Sequence, residues 1–163
     1  MCAPARRLCT LVFALAVLAS ACGPTVDLSK GLQVELISTG WFDAGIVEGK
    51  NKLVPTVTFK VKNVSDQKLV ALQMNAVFRR VSEKEEWGSG LLSVAGSEGL
   101  APGATSGPLS IKSQLGYTGT ESRAEMLQNR EFVDARVSLF AKYAATQWTP
   151  VAEAPISRQL ITQ

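Results

Sequence analysis

A strict alternation of apolar and polar residues constrains this chain more than any other feature. Val133, Ala135, Val137, Leu139, Ala141 and Tyr143 recur at every second position near the C-terminal end. In an extended backbone successive side chains point to opposite faces, so this spacing describes a strand with one buried and one wet face. The same period runs through Leu32, Val34 and Leu36, through Val57, Phe59 and Val61, and through Leu72, Met74, Ala76 and Phe78. Weaker strands are expected over 87–94 and, after the Pro102-Gly103 turn, over 109–112. One short helix is expected where Ser122 and Glu125 have capping-box spacing ahead of Met126 and Leu127. Turn-forming clusters at 63–66, 96–99 and 116–119 separate these runs. The pattern predicts an all-β chain: an immunoglobulin-like antiparallel β-sandwich over 32–148 with one short connecting helix. Residues 149–163, which contain Pro150 and Pro155, are expected to be a C-terminal tail.

The first 21 residues have a different character. Arg6 and Arg7 precede a mostly apolar run from Leu8 to Leu18, and small residues then lead to Cys22. The run falls short of the roughly 20 apolar residues that a spanning helix needs, and it has the flanks of an export signal. Two cleavages fit. Ala19-Ser20-Ala21 meets the small-x-small rule for release of a secreted protein, and the same residues resemble a bacterial lipobox with Cys22 as the acylated residue. The lipobox pattern prefers leucine where Ala19 stands. The lipoprotein reading is favoured because a released protein would carry an unpaired thiol at its N-terminus in an oxidising compartment. Residues 22–31 are then expected to tether the domain to the membrane, with a reach of at most about 33–36 Å. In the sorting rule of proteobacterial lipoproteins, aspartate after the cysteine retains the protein in the inner membrane. Gly23 at that position implies, for an envelope with two membranes, the outer membrane, facing the periplasm.

Removal of the signal changes the charge. Of 17 basic residues Arg6 and Arg7 depart, which leaves 15 against 14 acidic ones. So balanced a chain gives no electrostatic case for nucleic acid as a partner. Cys2 and Cys9 are also lost, so no internal disulfide can form in 22–163.

Two segments carry a family likeness. Phe59-Lys60-Val61-Lys62-Asn63-Val64-Ser65 followed by Leu72-Gln73-Met74-Asn75-Ala76-Val77-Phe78 resembles the paired core strands of FxLYD-type immunoglobulin-like domains of bacterial envelope lipoproteins. Leu100-Ala101-Pro102-Gly103 resembles the leucine–proline–glycine turn of the same domains. The likeness covers roughly residues 32–143. It implies an exported, non-catalytic accessory or interaction domain.

Catalytic chemistry finds little support. The chain has no histidine, which removes the usual general base and the commonest metal ligand. No metal site or cofactor is expected. Ser65-Asp66-Gln67-Lys68 matches the serine-x-x-lysine signature of penicillin-interacting hydrolases, but it falls between two strands and reads better as a turn. Glu83, Glu85 and Glu86 could pair as catalytic or calcium-binding carboxylates, and read more simply as a charged hairpin tip. Asn63-Val64-Ser65 is a glycosylation sequon by pattern alone. The remaining candidates are aromatic. Trp41 and Phe42 precede an expected loop over 43–52, and with Lys50 and Lys52 they are the candidate partner-binding residues. Tryptophan at loops stacks on sugars or anchors a protein partner, and the alternative is that it seals the end of the core. The expected function is a membrane-anchored binding or accessory module whose partner is an envelope protein or a glycan. The alternatives are a glycan- or peptidoglycan-binding protein that uses loop aromatics, and a Ser65/Lys68 hydrolase.

Overall fold

In the computed structural model, which describes residues 24–162, the alternating runs form two packed sheets. The expected signal segment and Cys22 lie outside the described residues. One sheet contains β1 (Leu32–Val47), β2 (Lys50–Asn63), β5 (Leu109–Lys112), β6 (Tyr117–Gly119) and β9 (Leu160–Ile161). Its order is β5-β2-β1-β9, with β6 also beside β2. The second sheet contains β3 (Leu72–Arg80), β4 (Gly88–Ala95), β7 (Ala135–Lys142) and β8 (Thr149–Pro155), in the order β4-β3-β7-β8. All these pairings are antiparallel except that of β1 with β9. The chain is an immunoglobulin-like β-sandwich.

Period two places the core. Val57, Phe59 and Val61 of β2 meet Met74, Ala76 and Phe78 of β3 and Val137, Leu139 and Ala141 of β7, and all nine are fully buried. Each large apolar side chain so buried contributes about 1.5–3 kcal/mol relative to exposure. The expected helix is present as Arg123–Gln128, which follows the four-residue α1 (Leu28–Gly31) and is therefore α2. The Ser122 hydroxyl accepts from the Glu125 amide, and the Glu125 carboxylate accepts from the Ser122 amide at 3.0 Å. These bonds satisfy two amides that a helix start otherwise leaves open.

Four expectations need correction. The turn expected at 116–119 is mostly strand, because β6 (Tyr117–Gly119) pairs with 51–53 of β2. The segment 43–52 is a hairpin rather than a loop. β1 and β2 pair out to Val47 and Lys50, and Glu48 and Gly49 turn the chain with φ of 51° and 76°. Positive φ at both turn residues matches the twist of the flanking strands, and glycine takes the second position without strain.

The segment 149–162 is not a loose tail. β8 closes an edge of the second sheet, where prolines are tolerated because an edge strand leaves amides unpaired. Beyond it Arg158 fastens one end of the sandwich. Its guanidinium donates to Asp134 at 2.6 Å and to the Phe132 carbonyl at 2.8 Å.

Residues 24–31 are docked rather than a free tether. The Val26 amide donates to the Tyr143 hydroxyl at 2.6 Å, Gln67 donates to the Pro24 carbonyl at 2.9 Å, and Leu28 is 2% exposed. Docked structure is thus present at Pro24, two residues after Cys22.

Candidate functional site

Alternation along β1 separates the two candidate aromatics. Trp41 faces Pro55 across the ladder and points into the sandwich, and Phe42 faces Val54 and points outward. Trp41 is fully buried. Its ring centroid lies 4.6 Å from that of Phe132 in an edge-on arrangement, 5.6 Å from Tyr117 and 6.1 Å from Trp87. Trp41 therefore has no surface to offer a partner and seals the core end, as the alternative reading holds. The Tyr117 hydroxyl donates to the Val133 carbonyl at 3.1 Å, and burial pushes its pKa above the usual tyrosine value. Arg80 covers Trp87 at 5.0 Å from the ring centroid, and Arg158 covers Phe132 at 5.2 Å. A shallow cavity of about 190 Å³ opens beside this cluster, between Tyr117, Met126 and Phe132, with Glu121 and Glu131 among the residues that line it.

Phe42, Lys50 and Lys52 come together on the outward face of the first sheet, because even-numbered positions of β2 share that face. Lys52 donates to the Gln114 carbonyl at 3.2 Å. The Lys112 ammonium, from β5, stands 3.3 Å from the Phe42 ring centroid. An ammonium at that distance is held by the ring quadrupole. Sequence reasoning did not single out Lys112. Its signal was the short run 109–112, but only the pairing of Lys112 with Thr56 brings it to Phe42. At the end of the hairpin, Arg123 of α2 forms an ion pair with Asp43. That guanidinium, with the Gly45 amide, holds the Asp43 carboxyl below the usual carboxylate range. Trp148 lies toward the opposite end and is half-exposed, with the Lys142 ammonium 4.9 Å from its centroid.

The motif-like residues have structural partners. Asn63 is fully buried. Its amide donates to the carbonyls of Gln67 and Leu100 at 2.7 and 2.8 Å, and its oxygen accepts from the Ser65 amide and hydroxyl. A buried amide nitrogen with two acceptors is closed to glycosylation. The Ser65 hydroxyl lies 2.6 Å from the Asn63 oxygen and 3.1 Å from the Gln67 carbonyl, in a turn between strands. That is turn chemistry, as the spacing between strands suggested. Glu83 pairs with Arg80 at 3.0 Å, and Glu85 and Glu86 are exposed beside it. Among the described residues no group of three or more His, Cys, Asp or Glu side chains is placed to hold a metal ion. No helix of the described residues is long and apolar enough to cross a membrane.

No protein-family model matches the chain, and no curated protein resembles it at a significant level.

Proposed function

We infer that this chain is a bacterial lipoprotein, acylated at Cys22, whose sandwich acts as a non-catalytic binding or accessory module at the cell envelope. The observation that carries the reading is the junction between signal and fold. The small residues before Cys22 fit signal cleavage, and Pro24 is already held against the sandwich by Gln67, so a single residue separates the cysteine from the docked segment. Two residues reach at most about 7 Å. A lipid on Cys22 would hold the Asn63 end of the sandwich against the bilayer, because Pro24 packs at that end beside Gln67. Multiple acyl chains give stable anchoring where one is marginal. Gly23 favours the outer membrane over the inner one, and the likeness to FxLYD-type domains supports an accessory role.

The test is metabolic palmitate labelling of the full chain in a bacterial host. Label should be incorporated into the wild-type protein and lost in Cys22→Ser. Label that persists in the variant, or a wild-type protein found unlabelled in the soluble fraction, refutes acylation at Cys22 and favours simple secretion.

A further inference from the structure

The outward face of the first sheet is far more basic than the chain as a whole. Along β2 the outward positions include Lys50, Lys52, Lys60 and Lys62, and β5 adds Lys112 opposite Thr56. The only acidic residue at an outward position of β1 or β2 within the paired body of this sheet is Glu35, across from Lys60. Five of the 15 basic residues of the chain after its signal thus share this face with one of 14 acidic ones, which leaves ten against thirteen elsewhere. The face is a net cation on a domain that is otherwise acidic. Lys50 and Lys52 form one pair about 7 Å apart and Lys60 and Lys62 another, the pairs lie about 26 Å apart along β2 with Lys112 between them, and the whole spans about 40 Å. Hydroxyls lie between the ammonium groups: Thr58 donates to Ser110 at 3.4 Å, and Thr118 stands opposite Lys52. A surface cavity of about 280 Å³ opens at the Asn63 end of the row, between Lys60, Lys62, Glu35, Gln33 and Thr105.

We propose that this lysine face binds an acidic polysaccharide, laid along β2 with its carboxylates or other acid groups against Lys52, Lys60, Lys62 and Lys112. The proposal names the partner class of the exported binding module inferred above and rests on that reading. Charge complementarity along a row selects a linear polyanion over a single small anion, which would fill only one part of it. Protein interfaces need a buried apolar or aromatic anchor, and along β2 between Lys52 and Lys62 the face exposes none; the exposed Leu36 and Ile37 belong to the neighbouring β1 bulge. Val54 is 4% exposed, and the Phe42 ring already carries the Lys112 ammonium. Phe42 is a positioning residue here: its ring holds Lys112 in line with the β2 lysines.

The test uses the full chain in neutral detergent and polygalacturonate, a linear polymer with one carboxylate per sugar, as the probe. Binding should weaken steeply with added sodium chloride, as expected when ion pairs release counterions. The triple variant Lys52→Gln, Lys60→Gln, Lys62→Gln should bind on the order of ten-fold more weakly. The arginine triple at the same positions keeps the charge and should retain binding. A second triple, Lys68→Gln, Lys84→Gln, Lys142→Gln, has the same net charge as the first but leaves the face intact, and should bind like wild type. Equal loss in both glutamine triples, failure of the wild-type protein to bind polygalacturonate, or tighter binding to phosphatidylglycerol vesicles or single-stranded DNA overturns the proposal. Palmitate labelling reports on Cys22 and polymer binding in detergent reports on the lysines, so the two readings fail separately.

Discussion

Replacement of Trp41 by alanine distinguishes a core seal from a binding residue, and the structure sets the size of the effect. The indole is fully buried and packs on the rings of Trp87, Tyr117 and Phe132. Truncation of a buried Trp or Phe costs about 3–5 kcal/mol from lost transfer energy and the residual cavity. The three ring contacts place Trp41→Ala at the upper end of that range. For a domain whose total stability is about 5–15 kcal/mol, this leaves a fold near its threshold. The melting temperature should fall by on the order of 10–20 °C. Trp41→Phe behaves differently. The indole Nε1 has no hydrogen-bond partner, and a buried unsatisfied donor costs about 1–3 kcal/mol. Phenylalanine removes that donor while keeping most of the ring, so the net cost should not exceed about 1–2 kcal/mol. Equilibrium unfolding in guanidinium, followed by far-ultraviolet circular dichroism because the variants alter tryptophan fluorescence, measures both. Phe42→Ala is the comparison one residue along, with an expected cost below about 1.5 kcal/mol. If Trp41→Ala shifted the midpoint no more than Phe42→Ala at an unchanged slope, Trp41 would not be sealing the core.

Asn63→Ala should cost about 2–3 kcal/mol, because it removes the bonds from the Asn63 amide to the part-buried carbonyls of Gln67 and Leu100 and frees the Ser65 turn, while the Leu100 carbonyl keeps the Leu69 amide as a donor; chemical denaturation measures this, and a shift under about 1 kcal/mol would contradict it. Tyr117 sets an alkaline limb of stability. Its folded pKa is raised above the unfolded value of 10.0, so its contribution is complete below pH 10 and declines as pH rises through the folded value. Tyr117→Phe should lower stability by about 0.5–1.5 kcal/mol at pH 7 through loss of the bond to Val133, and should flatten the decline above pH 10. Urea midpoints across pH 7–11 that fall in parallel for both proteins would refute the assignment.

The sandwich was legible in the sequence wherever one face of a strand is buried, because burial forces period two. Val57-Phe59-Val61 and Leu72-Met74-Ala76-Phe78 announce their strands for this reason, and all seven side chains are fully buried. The outer part of the β1–β2 hairpin gave no such signal. Ile46 is 69% exposed, so its strand is set by backbone pairing to Asn51 rather than by a buried face, and Gly45 and Gly49 imitate loop punctuation. β8 was hidden by Pro150 and Pro155, which mark a tail unless the segment is known to lie at an edge. The docking of residues 24–31 depends on Tyr143, more than 110 residues away, and no local pattern reports such a contact.

The candidate site divides along the same line. Adjacent aromatics at 41 and 42 read as one feature in sequence, yet a strand must send them to opposite faces, and the ladder opposite Pro55 and Val54 decides which goes inward. The lysine face needed more. Lys60 and Lys62 are outward in any reading of their strand, but their alignment with Lys52 and Lys50 requires β2 to continue unbroken through Pro55, and Lys112 joins only through the β2–β5 register. Pro55 is compatible with that continuity because it falls between the β6 pairing of 51–53 and the β5 pairing of 56–59, where no ladder bond needs its missing amide, and its carbonyl still accepts from the Ser113 amide at 2.9 Å. The same unbroken strand links the two halves of the functional reading. Its Asn63 end lies beside the docked Pro24 segment, through the bond of the Val64 amide to Gly31, and its Lys50 end lies at the hairpin tip. A lipid on Cys22 would therefore place Lys62 nearest the point of attachment and Lys50 farthest from it, so that a polymer laid along β2 would run from the anchored end toward the hairpin tip.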